Sequence, residues 1–343
     1  MLRVAVLLSG LGVAAVAAAH HSTVAIYDSS QVVEATGIVE EISWRNPHGR
    51  LVIRAEGAVG EAALWEAEIP AIVVLRILGI SEDLIAVGDR VTMAGSPARR
   101  TANAMAARNI LLSNGYELAF GSNTPYFPAG KGGSLIGRSY DTSNVEAAKA
   151  KADGIFRVWA TNMTDRAAFP MFRGGYPLND AAKAVVAKWD PFDNDLLHCG
   201  TKGQPLIMIT PTPIEFVRDG DTIRMRIEEY DTLRVIHMNT DAAAPDEHTQ
   251  FGFSRGRFEG ETLVVETDHI KAQYFDPDGV PQSEQMRTVE RFTPNAAYDR
   301  LDYRITVTDP VYFTQPFDLT RYFVWKPEMT VHPYECLERD WTR

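Results

Sequence analysis

The chain has 343 residues, 45% of them hydrophobic and 23% charged, an ordinary balance for a globular protein and enough length for two domains. Its formal net charge of −11 argues against nucleic acid or an anionic lipid surface as the main partner. Beyond the first nineteen residues no segment reaches eighteen uninterrupted apolar residues, so no membrane span is predicted.

Met1-Leu2-Arg3 is a positive start, Val4–Val16 an apolar run and Ala17-Ala18-Ala19 a small-residue cleavage site. That order reads as a secretory signal peptide over residues 1–19, and it places the mature chain, starting at His20, in the periplasm or outside the cell. Residues 20–118 read as a small β domain. Strands are expected at Val33–Glu41, Arg50–Ala55, Ala63–Ile69, Val87–Met93 and Ala106–Ser113. Between the third and fourth, Pro70 opens and Gly79 closes an apolar helical stretch. Three strands, a helix and two strands is the order of a five-stranded OB-like barrel, with another small barrel or roll as the alternative.

Residues 119–198 are rich in Pro and Gly and read as an extended connector. Within it, short helices are expected near Val145–Lys151 and at Pro177–Trp189, the latter capped by Asn179 or Asp180, and Gly154–Trp159 is a candidate strand. From 199 to 343 short strands recur at near-regular spacing, among them Gly256–Glu259, Thr262–Glu266, Arg287–Thr293, Leu301–Thr308, Phe317–Trp325 and Thr330–Glu335. Seven or eight such strands predict an antiparallel up-and-down, lipocalin-like barrel or a sandwich. Cys199 and Cys336 are the only cysteines. In an oxidising compartment they are a natural disulfide, two buried free thiols being the alternative.

Catalytic signatures such as H-E-x-x-H or a P-loop do not occur. Four constellations remain. A free amine and imidazole at His20, with His21 and His48, would suit copper. Trp44–His48 forms a turn between the first two strands, either as a recognition patch or with Trp44 capping the barrel. Counting by two from Ile223, Met225 and Ile227 puts Glu229 and Asp231 on the apolar face, and after the turn Leu233, Val235 and His237 share a face. Glu229, Asp231 and His237 would then be acid–base groups pointing inward; a solvated hairpin end paired with Arg224, Arg226 and Arg234 is the plainer reading. Thr267–Ile270 with Tyr274, Asp276 and Asp278 reads as a loop at the barrel mouth, and its Asp-Pro-Asp-Gly is turn chemistry rather than a calcium loop.

His20-His21-Ser22, Thr36-Gly37-Ile38-Val39 and Trp44-x-Asn46-Pro47-His48 together resemble a group of secreted bacterial proteins of unknown function. The later half is similar to a second β-rich module of such proteins. The likeness rests on Pro205-x-x-Met208-x-x-x-Pro211-x-Pro213-Ile214-Glu215, Glu229-Tyr230-Asp231, the run from Gly256 to Thr267 and Val289-Glu290-Arg291-Phe292. The resemblance implies an extracytoplasmic β protein and supplies no activity. Similar sequences carry histidine where this chain has Phe253, Gln282 and Arg287, which weakens a metal role for histidines of the second module.

The preferred reading is an extracytoplasmic protein that binds a small, largely apolar molecule inside the C-terminal barrel, with Trp44, Tyr230, Arg234, His269, Tyr274, Tyr303 and Trp325 as ligand-contacting residues. A cofactor-independent lyase, isomerase or hydratase using Glu229, Asp231 and His237 is the second reading. The third is a periplasmic copper protein. No cofactor is otherwise expected.

Overall fold

The structure, a computed structural model, describes residues 26–55, 63–120, 125–127, 140–163, 165–168, 171–172, 174–190, 194, 196 and 199–337. The signal-like segment, His20 and His21 lie outside the described residues. The protein is mainly β, with two closed barrels.

The first barrel is built from β1 (Val33–Ser43), β2 (Gly49–Ala55), β3 (Ala63–Ile69), β4 (Arg90–Pro97) and β5 (Ala104–Leu112), with β6 (Glu117–Ala119) added on β5. Neighbours are antiparallel except for the seam, where β3 runs parallel to β5 through Glu66↔Ala104, Ala67↔Met105 and Glu68↔Ala106. That pairing closes the ring β1-β2-β3-β5-β4, the OB-like order expected from the sequence. The ring coils tightly enough that β1 and β2 nearly touch at Gly37, where an added Cβ would collide with the Arg54 carbonyl.

Helix α1 (Ile72–Leu78) lies between β3 and β4, where the Pro–Gly punctuation put it. Seven residues do not sustain a helix in water. This one persists because Val73, Val74, Leu75, Ile77 and Leu78 are buried in the barrel core with Leu51, Ile53, Ile69, Met93 and Ile110. Gly79 ends it in the left-handed conformation (φ 61°), returning its N–H to Arg76 O, while Ile80 N–H reaches Leu75 O at 2.9 Å.

Two short helices follow, α2 (Val145–Lys151) and α3 (Asp180–Val186), with β7 (Val158–Thr161) between them. The Asn179 side chain accepts the Ala182 N–H at 3.0 Å, so Asn179 is the cap of α3. Strand β7, within the stretch read as a connector, belongs to the second barrel. Its other strands are β8 (Ile214–Asp219), β9 (Thr222–Ile227), β10 (Thr232–His237), β11 (Phe253–Glu259) and β12 (Thr262–Asp268), then, after a small ribbon of β13 (Gln273–Tyr274) and β14 (Pro281–Gln282), β15 (Arg287–Pro294), β16 (Arg300–Thr308) and β17 (Phe317–Trp325). They follow one another around the ring in chain order, and β17 closes on β7 through Phe323↔Thr161 and Trp325↔Trp159.

Nine strands, rather than seven or eight, impose one departure from pure antiparallel pairing. Each antiparallel neighbour reverses direction, so an odd ring needs at least one parallel pair. It is β10–β11, joined at Ile236↔Ser254 and His237↔Arg255. The strand expected at Thr330–Glu335 is an irregular tail instead. Its backbone groups are drawn to the junction between the barrels: His332 N–H donates to Glu228 Oε2, Tyr334 N–H to Asp231 Oδ1 and Leu337 N–H to Asn46 O.

Candidate functional site

Inward residues of the second barrel alternate with outward ones along every long strand, as in the buried Leu301, Tyr303, Ile305 and Val307 of β16. The lumen is filled rather than hollow at its waist. Phe216, Phe292, Tyr303 and Phe323 form a chain of ring contacts with centroids 4.9–6.2 Å apart. The buried 3-10 segment Leu206–Ile209 adds apolar side chains to the same core. Among these apolar groups sits one buried ion pair. Arg234 donates through both terminal nitrogens to Glu290, Nη1 to Oε1 at 3.0 Å and Nη2 to Oε2 at 2.6 Å, and Tyr303 OH donates to Glu290 Oε1 at 2.9 Å. Ser254 and Thr267 complete the surround.

A second polar cluster occupies the junction between the barrels. Residues 228–231 form a tight turn in which Tyr230 and Asp231 both take positive φ, 56° and 51°. Glu229 is buried and bonded to the buried Lys202 at 2.6 Å. Glu228 meets Arg76 of α1 at 2.5 Å, Tyr230 packs on Tyr334 with centroids 5.0 Å apart, and Asp231 faces solvent. This turn corrects the strand parity read from sequence. Its two left-handed residues reset the alternation, so Thr232, Arg234 and Ile236 point inward and Leu233, Val235 and His237 outward. His237 lies stacked on Phe253, at the other end of β10 from the two carboxylates. The three proposed acid–base residues therefore do not share a site.

The proposed ligand-contacting residues are similarly dispersed. Arg234 and Tyr303 meet around Glu290. Trp44 packs against the first barrel's core, and its ring N–H has no partner among the described residues. His48, in the same loop, bonds Glu68 at 3.2 Å. His269 bonds Asp268 and stacks on His248, while Tyr274 lies near Trp189. Among the described residues no group of three or more His, Cys, Asp or Glu is placed to hold a metal ion. Tyr230 is at the junction, and Trp325 lines a cleft.

That cleft has a volume of about 210 Å³ and lies outside the second barrel, between α2 and the wall made by β7, β8 and the end of β17. Phe156, Trp325 and Met329 are its large apolar surfaces, and Lys151, Arg157 and Lys326 its cations. The volume is below the ~300 Å³ at which drug-sized sites begin, and suits a fragment-sized molecule.

Residues 8–106 match DUF6152, a family of unknown function. The matched stretch runs through β1–β4 into β5 and includes Trp44, Asn46, Pro47 and His48; it ends before the second barrel begins. The DUF6152 match thus covers most of the first barrel, up to the start of β5, and brings no activity with it. No curated protein and no solved structure matches the chain. No helix among the described residues is long and apolar enough to cross a membrane.

Sequence reasoning missed Glu290, Glu228, Lys202 and Arg157. Glu290 was legible by parity, since it shares the inward face of β15 with Thr288 and Phe292. Nothing local distinguishes Glu228, whose environment is made by Arg76 and the tail. Burial lifts its carboxyl to about 7, against the pull of Arg76 and the His332 N–H. Asp276 is likewise raised by burial to about 6. Between the ordinary carboxyl values and these, the folded chain holds protons that the unfolded chain has released, so stability should fall as pH rises from about 4 to about 7. His332, lowered by burial, opposes this below its ordinary value. We expect the unfolding free energy from urea titration to be higher at pH 5.5 than at pH 8, by on the order of 2 kcal/mol, and Glu228→Gln to remove most of that difference. An unchanged slope in the variant would reject the assignment to Glu228.

Proposed function

We propose that this is an extracytoplasmic protein that binds a small, largely apolar molecule on its C-terminal barrel, in the cleft on the outer wall rather than in the lumen. The supporting observation is the cleft itself, a concavity that brings Trp325, Phe156 and Met329 together beside α2. The lumen, by contrast, is occupied by Phe216, Phe292, Tyr303 and Phe323 and by the Arg234–Glu290 pair. An extracytoplasmic setting agrees with the Cys199–Cys336 bridge, because such bonds persist in oxidising compartments. The acid–base reading has less support: Glu229 is neutralised by Lys202 and His237 is on the outer face.

The neutral dye N-phenyl-1-naphthylamine, which brightens in apolar surroundings, tests the site. Binding by the parent chain should be lost in Trp325→Ala, which removes the largest apolar surface of the cleft, and retained in Tyr303→Phe, which alters the lumen. The opposite pattern would return the ligand to the lumen and end the cleft proposal.

A further inference from the structure

We infer that the wall cleft is a site for an aromatic or aliphatic carboxylate, its anionic end taken by Arg157 and its apolar body by Trp325, Phe156 and Met329; this rests on the cleft being the binding site. The guanidinium of Arg157 is fixed before any ligand arrives. Nε donates to Gly154 O at 2.8 Å and Nη1 to Tyr298 O at 2.9 Å. Its plane is bracketed by aromatic rings, 4.4 Å from the Trp325 centroid, 5.3 Å from Tyr298 and 5.8 Å from Trp159. Of its five N–H donors those bonds use two, and both go to backbone carbonyls. No carboxylate of the described residues stands within ion-pair distance of it, although most other arginines of the second barrel have one.

The surroundings favour an anion for independent reasons. In a chain of net charge −11, this one cleft gathers three cations. Lys151 has no ion-pair partner among the described residues, and Lys326 bonds Glu328 at 3.2 Å. Glu215, the only carboxylate on the lining, is taken by Arg226 at 2.6 Å. Burial disfavours the charge on Arg157 by more than Tyr298 and Asp153 offset, and a bound carboxylate would offset the remainder. A planar guanidinium held by its neighbours loses little freedom on meeting a planar carboxylate, so the contact should be specific as well as attractive.

Titration calorimetry of the full chain with 2-naphthoate and its neutral isostere 2-naphthamide separates the two levels of the argument. Naphthoate should bind about ten- to a hundredfold more tightly, the range for hydrogen bonds to a charged group. Arg157→Gln should bring the two affinities together while leaving that for the amide within about twofold, and added NaCl should weaken naphthoate alone. Should the variant fail to fold, the salt response of the parent chain decides. Equal binding of both probes by the parent, or a naphthoate preference that survives Arg157→Gln, would overturn the carboxylate site and leave the cleft. Binding of neither would remove both.

Discussion

Replacing Glu290 with Ala should destabilise the second barrel by about 3–5 kcal/mol, because it strands Arg234 as an unpaired charge in the core. The side chains of Arg234 and Glu290 are 1% and 0% exposed, and water cannot replace the lost carboxylate without opening the barrel. The remaining neighbours of the guanidinium, the Met208 and Met225 sulfurs, Ser254 and Thr267, are neutral and lie 3.4–3.8 Å away. Tyr303 would also lose the acceptor for its hydroxyl. Removing both charges together, as in Arg234→Met with Glu290→Met, should recover much of the loss, since no uncompensated ion remains. Denaturant unfolding of the single and double variants measures both effects. A shift below about 1 kcal/mol for Glu290→Ala would mean that solvent reaches this pair after all.

Reduction of the Cys199–Cys336 bond should have an effect of similar size. The bond closes a loop of 137 residues in sequence separation, and in the chain-entropy account such a loop constrains the unfolded chain by about 5 kcal/mol. In the native chain the bond also secures the tail. Cys336 pairs with Asn46 of the first barrel, the Asn46 side chain donates to Tyr334 O at 2.5 Å, and Cys199 leads into the segment that carries Lys202 and Gln204 of the second. A thermal scan with reductant, and one of the Cys199→Ala, Cys336→Ala double variant, should show a lower midpoint. The Arg76–Glu228 contact should loosen as well, visible as faster amide exchange at His332 and Tyr334. Equal midpoints with and without reductant would show that packing alone holds the tail.

The cysteine pair is marked in the sequence and Glu290 by its parity on β15, and the two barrels differ in how openly they were written. The first was legible almost strand by strand. Pro70 and Gly79 bracket α1, alternation marks the strands, and the order of elements permits few closures. These are local signals, fixed by backbone sterics and by a period of two. The second barrel was legible as a run of strands, and Gly154–Trp159 as a candidate strand overlapping β7, but not the place of β7 in the ring. Strand β7 has only four residues and lies in a stretch rich in glycine and proline, so its pairing with both β8 and β17 is decided by ring closure.

The sequence by itself determined the fold class, the cysteine pair, the short helix of the first barrel and the inward face of β16, since each depends on residue type, spacing or parity within one segment. Tertiary structure alone decided the rest. Parity fails where a turn contains left-handed residues, so the inward face of β10 waited on the conformation of Tyr230 and Asp231. Glu228 became unusual only when Arg76 and the tail closed over it, and Arg157 only when Trp325, Tyr298 and Trp159 converged around it. A side chain's field and its solvent access come from atoms distant in sequence, and local pattern carries no record of them.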